Sequence, residues 1–308
     1  MERLARLRQN IAQVFLGNHS AIDRVIVCLL ARGHLLIEDV PGVGKTMLAT
    51  ALARSLDCSF SRIQLTPDML PSDVLGVTVW DQRESKFEAR RGRTLSNVVL
   101  ADEINRTTPR TQAAMLEAMN EGQVSIDGHT RKLIAPFIVI ATQNPFEFEG
   151  TYFLPENQLD RFLMRIHLGY PSAEDEVRVL ELDPSRTLLT EVRPVMTSAE
   201  LVTLQQLVEQ VRVDRSLYEY IVRLAAATRE HPDLRIGVSP RGTLALTHAA
   251  RATALLHDRD YVVPDDIVSN VVPVCAHRIV TRDHMRDADA ETGTRIIKQV
   301  LESIPSPA

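Results

Sequence analysis

Residues 35–53 read LLIEDVPGVGKTMLATALA: an apolar run, a turn rich in Pro and Gly that ends in Lys45-Thr46, and an Ala- and Leu-rich stretch of helical pattern. Either the turn is a flexible strand-to-helix connection or it cradles phosphate. Gly42 and Gly44 permit backbone conformations that aim successive N–H groups inward, at a helix N-terminus that already attracts anions. Lys45 supplies a point charge for β- and γ-phosphates, and the Thr46 hydroxyl a ligand for Mg²⁺. The strict pattern is G-x-x-x-x-G-K-[ST]. The residues Asp39, Val40, Pro41, Gly42, Val43, Gly44, Lys45 and Thr46 meet it except at the first position, where Asp39 replaces Gly.

Outward from this stretch, up to about residue 171, short β-like runs alternate with helical patterns such as TMLATALARSL and RTQAAMLEAMNEG. The runs fall at 35–37, 62–65, 98–101, 137–141 and 165–168. Three are almost wholly apolar, as strands of a parallel sheet covered on both faces must be. The alternation predicts a doubly wound α/β domain. One segment breaks it: EGQVSIDGHTRKL carries two alternating runs joined at Asp127-Gly128, which predicts a β-hairpin over 123–133. After residue 172 the character becomes helical. Thr197 with Glu200 forms a capping box, Pro264-Asp265-Asp266 starts a helix, and two amphipathic stretches lie between. The expected division is 1–172 and 173–308.

Composition excludes several classes. A chain of 308 residues, 44% hydrophobic and 24% charged, buries a real core in one large or two modest domains. A net charge of −5 gives no general pull towards nucleic acid or anionic membrane. Basic residues cluster locally at Arg83, Lys86, Arg90, Arg91 and Arg93, then Arg106 and Arg110, and read as a solvated or subunit-contacting face. Cys28, Cys58 and Cys275 are isolated, which suits a reducing compartment and gives no disulfide framework or zinc site. No apolar run approaches the ~20 residues of a membrane span, and MERLARLRQNIAQVF reads as an amphipathic helix without a signal-peptide core. A soluble, cytoplasmic protein is expected.

Four further features join the loop. In NVVLADEIN an apolar strand ends in Asp102 and Glu103, at the strand end where an open α/β sheet places its ligand. Asp102 would hold Mg²⁺, and Glu103 would orient and deprotonate an attacking water. FIVIATQNPFE ends a second buried strand in Thr142-Gln143-Asn144, where a polar amide can position the hydrolytic water. LPENQLDRFLMRIHL offers Arg161 and Arg165, either of which could stabilise a transferring phosphoryl group. GVSPRGTLAL places Arg241 in the first turn of a helix capped by Ser239, against the macrodipole, so that it answers to an anion.

Together the five features resemble the AAA+ ATPases, and more closely their MoxR family. The likeness runs through FLGNHSAID, HLLIEDVPGVGKT, RIQLTPDMLPSDVLG, LADEINRTTPRTQAAMLEAMNEGQV, ATQNPFEFEGTYFLPENQLDRFLMR and GVSPRG. The resemblance implies an α/β fold, a five-stranded parallel P-loop domain with a C-terminal all-helical lid, and ATP with Mg²⁺ as cofactors. It makes Lys45 and Thr46 Walker A residues, Asp102 and Glu103 Walker B, Asn144 sensor 1, Arg161 the arginine finger (with Arg165 the alternative) and Arg241 sensor 2. It also makes the 123–133 hairpin a pre-sensor-1 insertion and 76–94 a helix-2 insertion, both facing the pore of a ring. Homo-oligomerisation into a hexamer follows, with a protein client, in relatives often one bearing a von Willebrand factor A domain. A nucleic-acid motor, a chelatase-type motor subunit and a small-molecule P-loop kinase are the competing readings.

Overall fold

The computed structural model describes residues 2–81, 86–91, 96–126, 129–145, 151–184, 187–282 and 289–307, with the backbone alone at 77–81, 86–91, 126, 129 and 289–290. Two helices precede the phosphate loop. In α1 (Glu2–Val14), Leu4, Leu7, Ile11 and Val14 recur at helical spacing and are buried, while α2 (His19–Leu30) is capped by Asn18, whose side chain accepts from the Ala21 amide.

The first strand, β1 (Leu35–Glu38), runs into the loop and α3 (Lys45–Ser55). There follow β2 (Phe60–Gln64), α4 (Pro71–Leu75), the paired strands β3 (Gly76–Asp81) and β4 (Lys86–Arg91), β5 (Val98–Asp102) and a 3-10 turn (Ile104–Arg106). Then come α5 (Pro109–Glu121), β6 (Gln123–Ile126), β7 (His129–Lys132), β8 (Ile138–Gln143), α6 (Glu156–Leu159) and β9 (Met164–Ile166). Five of these strands form one sheet in the order β2-β5-β8-β1-β9, every pair parallel. The sheet is buried on both faces. Leu35, Ile37, Val98, Leu100, Ile138 and Ile140 point to a core shared with α1, α2 and α3 and the C-terminal helices. The alternate residues Leu36, Val99, Ala101, Val139 and Ala141 meet Met115, Leu116 and Met119 of α5, and Phe162. This two-sided burial explains why the strands read as continuous apolar runs.

The predicted hairpin is present as β6–β7, with Gln123 opposite Lys132; Asp127 and Gly128 lie outside the described residues. Strands β3 and β4 form a second antiparallel hairpin inside the 76–94 segment, packed beside β6. The basic side chains at 83–93 fall outside the described side chains.

Beyond β9 the chain continues as α7 (Ala173–Leu182), α8 (Leu188–Glu191), α9 (Ser198–Gln210), α10 (Arg215–Glu230), β10 (Leu234–Ile236), α11 (Pro240–Leu256), α12 (Pro264–Cys275), β11 (Val280–Thr281) and α13 (Asp289–Ser303). The capping box at Thr197–Glu200 forms with both reciprocal bonds. The part beyond residue 172 is therefore mostly helical rather than all helical as expected: a short antiparallel pair, β10–β11, stands among its helices.

Candidate functional site

Because all five strands are parallel, their carboxyl ends share one edge of the sheet and their amino ends the other. Sequence-predicted residues occupy both.

At the carboxyl edge lies the phosphate loop. Gly42 and Gly44 have φ of 90° and 92°, the left-handed region in which glycine is at no disadvantage. A Cβ on Gly42 would meet nothing within 4 Å, so its requirement is purely conformational and the space inside the loop is open. Gly44 caps α3 without any side-chain acceptor, leaving the first amides of that helix to face a ligand. The Lys45 Nζ donates to the Asp39 carbonyl at 2.7 Å, across the mouth of the loop. Open cradle, uncapped helix N-terminus and bridging ammonium together fit a nucleotide's phosphates.

Asp39, the departure from the strict pattern, has a job of its own. Its Oδ1 accepts from the Val40 amide at 3.0 Å, and its Oδ2 from the Leu168 and Gly169 amides at 2.7 and 2.8 Å. Asn18 Nδ2 donates to the Leu168 carbonyl from the other side. The first position of the loop thus grips the segment that leaves β9 for the helical part.

Beside the loop, at the ends of β5 and β8, the carboxylates of Asp102 and Glu103 are held by neighbours to which the sequence reading assigned no part in the pair. Asp102 is 8% exposed. Its Oδ1 accepts from the Thr142 hydroxyl at 2.6 Å and its Oδ2 from Arg62 Nη2 at 2.7 Å. Glu103 adopts φ 58° and ψ 55°, uncommon for a residue with a Cβ. Its amide donates to the same Thr142 hydroxyl at 2.9 Å, and its Oε2 accepts from Gln64 Nε2 at 2.7 Å and faces Arg106 Nε at 3.3 Å. One hydroxyl therefore sets both carboxylates. Asn144, at the end of β8, is buried, with its backbone carbonyl accepting from Asn105.

The arginines separate. Arg165 is 10% exposed at its side chain, with Nη1 3.4 Å from the buried carboxylate of Glu38, which also accepts from Gln143 Nε2. It is an interior partner beneath the loop. Arg161, half-buried, precedes β9 and so lies at the amino edge; its Nη1 donates to the Leu116 carbonyl at 2.9 Å. Arg241 donates to Asn120 Oδ1 at 2.7 Å and faces Asp160 Oδ2, an anion of its own chain, at 3.7 Å. Asn120 is in the last turn of α5, which runs back from the carboxyl to the amino edge. There His34, just before β1, accepts from the Val139 amide through Nδ1 and donates through Nε2 to the Met119 carbonyl at 3.0 Å. Burial keeps that ring neutral, pulling its pKa down to about 4. The four residues of β1 separate the two edges by about 13 Å at ~3.3 Å per residue. Neither Arg161 nor Arg241 is beside its own chain's phosphate loop.

A loop suited to phosphate, a carboxylate pair and an amide at the carboxyl edge of a five-stranded parallel sheet fit the chemistry of a nucleoside triphosphatase. The family model described as "ATPase family associated with various cellular activities (AAA)" matches residues 34–164, and an AAA lid domain model matches 226–300. An uncharacterised protein of Bacillus subtilis, YeaC, is 47% identical over 99% of this chain and 95% of its own length. The chaperone MoxR1 of Mycobacterium tuberculosis is 38% identical over 99% of this chain and 82% of its own. A crystal structure from Cytophaga hutchinsonii, of a protein assigned as an ATPase, superposes with a TM-score of 0.91 at 36% identity, over 100% of this chain and 96% of that one. The chain belongs to the MoxR family of AAA+ ATPases. No helix among its described residues is long and apolar enough to cross a membrane.

Proposed function

We propose that the protein hydrolyses ATP within a ring of identical subunits, six by family resemblance, and uses the cycle to remodel a protein client, as a chaperone-type motor. The observation that carries this reading is the placement of Arg161 and Arg241 on the edge of the sheet opposite their own phosphate loop. If Arg161 is the guanidinium that meets the transferring phosphoryl group, the pocket receives it from another copy of the chain, which a closed head-to-tail ring supplies at every interface.

In this reading the loop 40–46, through its available N–H groups, and Lys45 bind the phosphates, while Thr46 and Asp102 would hold Mg²⁺, which would neutralise charge on the triphosphate. Glu103 takes a proton from the attacking water, Asn144 orients that water, and Thr142 fixes where Glu103 stands. The neighbour's Arg161 stabilises the charge that develops as the phosphoryl group transfers. The two hairpins, β3–β4 and β6–β7, lie side by side next to α4 and α5 and serve as client-engaging elements. A client bearing a von Willebrand factor A domain suits the family.

Lys45→Ala should abolish nucleotide binding, and Glu103→Gln should bind ATP while turning it over about 10²–10⁴ times more slowly. Turnover per chain should rise with protein concentration as rings form, and light scattering should show a mass shift with a non-hydrolysable ATP analogue. A strictly monomeric species with constant, full activity per chain overturns the ring. Glu103→Gln charged with ATP should retain client proteins that are lost when residues 125–130 are deleted; equal retention removes the hairpin from client binding.

A further inference from the structure

The helical part and the Arg161 segment meet through one buried guanidinium. Arg278 follows α12 and its side chain is 3% exposed. Its Nε donates to Asp160 Oδ1 at 2.8 Å, its Nη2 to the Phe162 carbonyl at 2.7 Å and the Asp160 carbonyl at 3.3 Å, and its Nη1 to the Leu163 carbonyl at 3.1 Å. The same Nη1 is anchored on the Val274 carbonyl in the last turn of α12. The carbonyls it grips bracket Arg161 on both sides. His277 Nε2 lies 3.1 Å from the Phe162 carbonyl and adds a second contact to this stretch.

The other side of the cluster reaches Arg241. The second oxygen of Asp160 faces the Arg241 guanidinium, and the Arg278 stem lies over Gly242, where a Cβ would come 3.2 Å from Arg278 Cδ and 2.7 Å from Val238 Cγ1. Arg278 and Asp160 therefore tie the residues on either side of one arginine to the helix start that carries the other. An apolar side chain could join two packed elements without the several kcal/mol it costs to desolvate a charge. What a planar five-donor fork adds is a fixed orientation for each backbone acceptor it holds.

We infer that Arg278 is a positioning residue which, with Asp160, locks Arg161 and Arg241 into one rigid pair for delivery to the phosphate site of the neighbouring subunit. This rests on the reading that Arg161 acts on the next subunit. It gives the helical part a direct hold on its neighbour's chemistry, since any tilt of α12 carries the carbonyls around Arg161 with it.

Two variants test it: Arg278→Lys, which keeps the charge and loses the fork, and Asp160→Asn, which keeps a side-chain oxygen for the Arg278 Nε and loses the charge; a cooperative urea transition checks that each is folded. Each should bind a fluorescent ATP analogue within a few-fold of the parent, because its own pocket is at the other edge. Each alone should lose roughly tenfold or more in turnover, short of the about 10³–10⁵ that a finger itself supplies. Mixed with Glu103→Gln, which lends a sound finger, each should recover activity; mixed with Arg161→Ala, which lends none, each should stay slow. Full activity of the variants alone overturns the inference, as does loss of ATP binding or failure to recover with Glu103→Gln, which would mark a general structural role. If Arg161→Ala itself fails to recover with Glu103→Gln, the reading of a finger acting between subunits falls, and this inference with it.

Discussion

Replacing Thr142 by Val keeps the shape of a fully buried strand residue and deletes the hydroxyl that bonds both the Asp102 carboxylate and the Glu103 amide. Asp102 loses a 2.6 Å hydrogen bond to an ionised oxygen, worth about 1.5–3 kcal/mol. The Glu103 amide, which donates to that hydroxyl at 2.9 Å, is left unpaired at a cost of about 1–3 kcal/mol. The added methyl returns about 0.8 kcal/mol by burial. A net destabilisation of about 2–5 kcal/mol follows, read as a lower urea midpoint. The catalytic loss should exceed what that implies. Glu103 sits in the left-handed region, a placement that costs about 1–3 kcal/mol and persists only while its surroundings impose it. Without the Thr142 bond its backbone relaxes and the carboxylate leaves its station, so phosphate release should fall about 10²-fold while the affinity for a fluorescent ATP analogue holds. Thr142→Ser retains the hydroxyl and should retain both properties. Turnover of Thr142→Val within threefold of the parent, or an unchanged urea midpoint, refutes the reasoning.

Asp39→Gly restores the strict loop pattern but removes three hydrogen bonds, two of them to the Leu168–Gly169 segment; it should lower stability by about 2–4 kcal/mol and leave ATP binding no tighter, as denaturation and a binding titration will show. Arg165→Ala strands the buried Glu38 carboxylate and should cost about 3–5 kcal/mol, whereas Arg161→Ala should change stability by less than about 1 kcal/mol and fail in turnover; the same denaturation series separates them. Acid should also destabilise the fold through His34, whose pKa burial lowers from 6.5 to about 4, and His277, which burial and the nearby Arg278 push well below its ordinary value. Between pH 6.5 and about 4 the unfolded chain binds more protons at His34 than the folded one. Its contribution of about 3 kcal/mol is therefore complete above pH 6.5 and lost as pH falls through that window; a stability profile flat from pH 7 to 4.5 would contradict it.

The sheet was legible because its strands are buried on both faces: 35–37 and 98–101 carry apolar residues at every position, which a strand with one wet face does not need. The phosphate loop and the Asp102-Glu103 pair were legible because their chemistry is local, a few residues joined to a strand end. What supports them was not. Gln64 and Arg62 sit on an edge strand, where polar residues read as solvated, and only the pairing of Gln64 with Asp102 in register shows that they face the site. Asp39 looked like a lapse in a motif because its partners lie 129 and 130 positions away. Arg278 stands 118 positions from Asp160, a distance over which no periodicity speaks. The strands β10 and β11 are equally silent, being segments of three and two residues, too short to show a period. The β3–β4 hairpin lacks the Gly-bearing turn that announced β6–β7.

The central claim is that each pocket is completed by the Arg161 of another subunit. Arg161→Ala retains an intact pocket and lends no finger; Glu103→Gln has lost its base and still lends a sound one. Mixed one to one and allowed to exchange subunits, the two inactive proteins should form rings in which about a quarter of interfaces pair a whole pocket with a whole finger, and ATPase activity should reappear in proportion. Silence at every mixing ratio, with exchange demonstrated by fluorescence transfer between labelled subunits, would place the finger within its own chain and contradict the account.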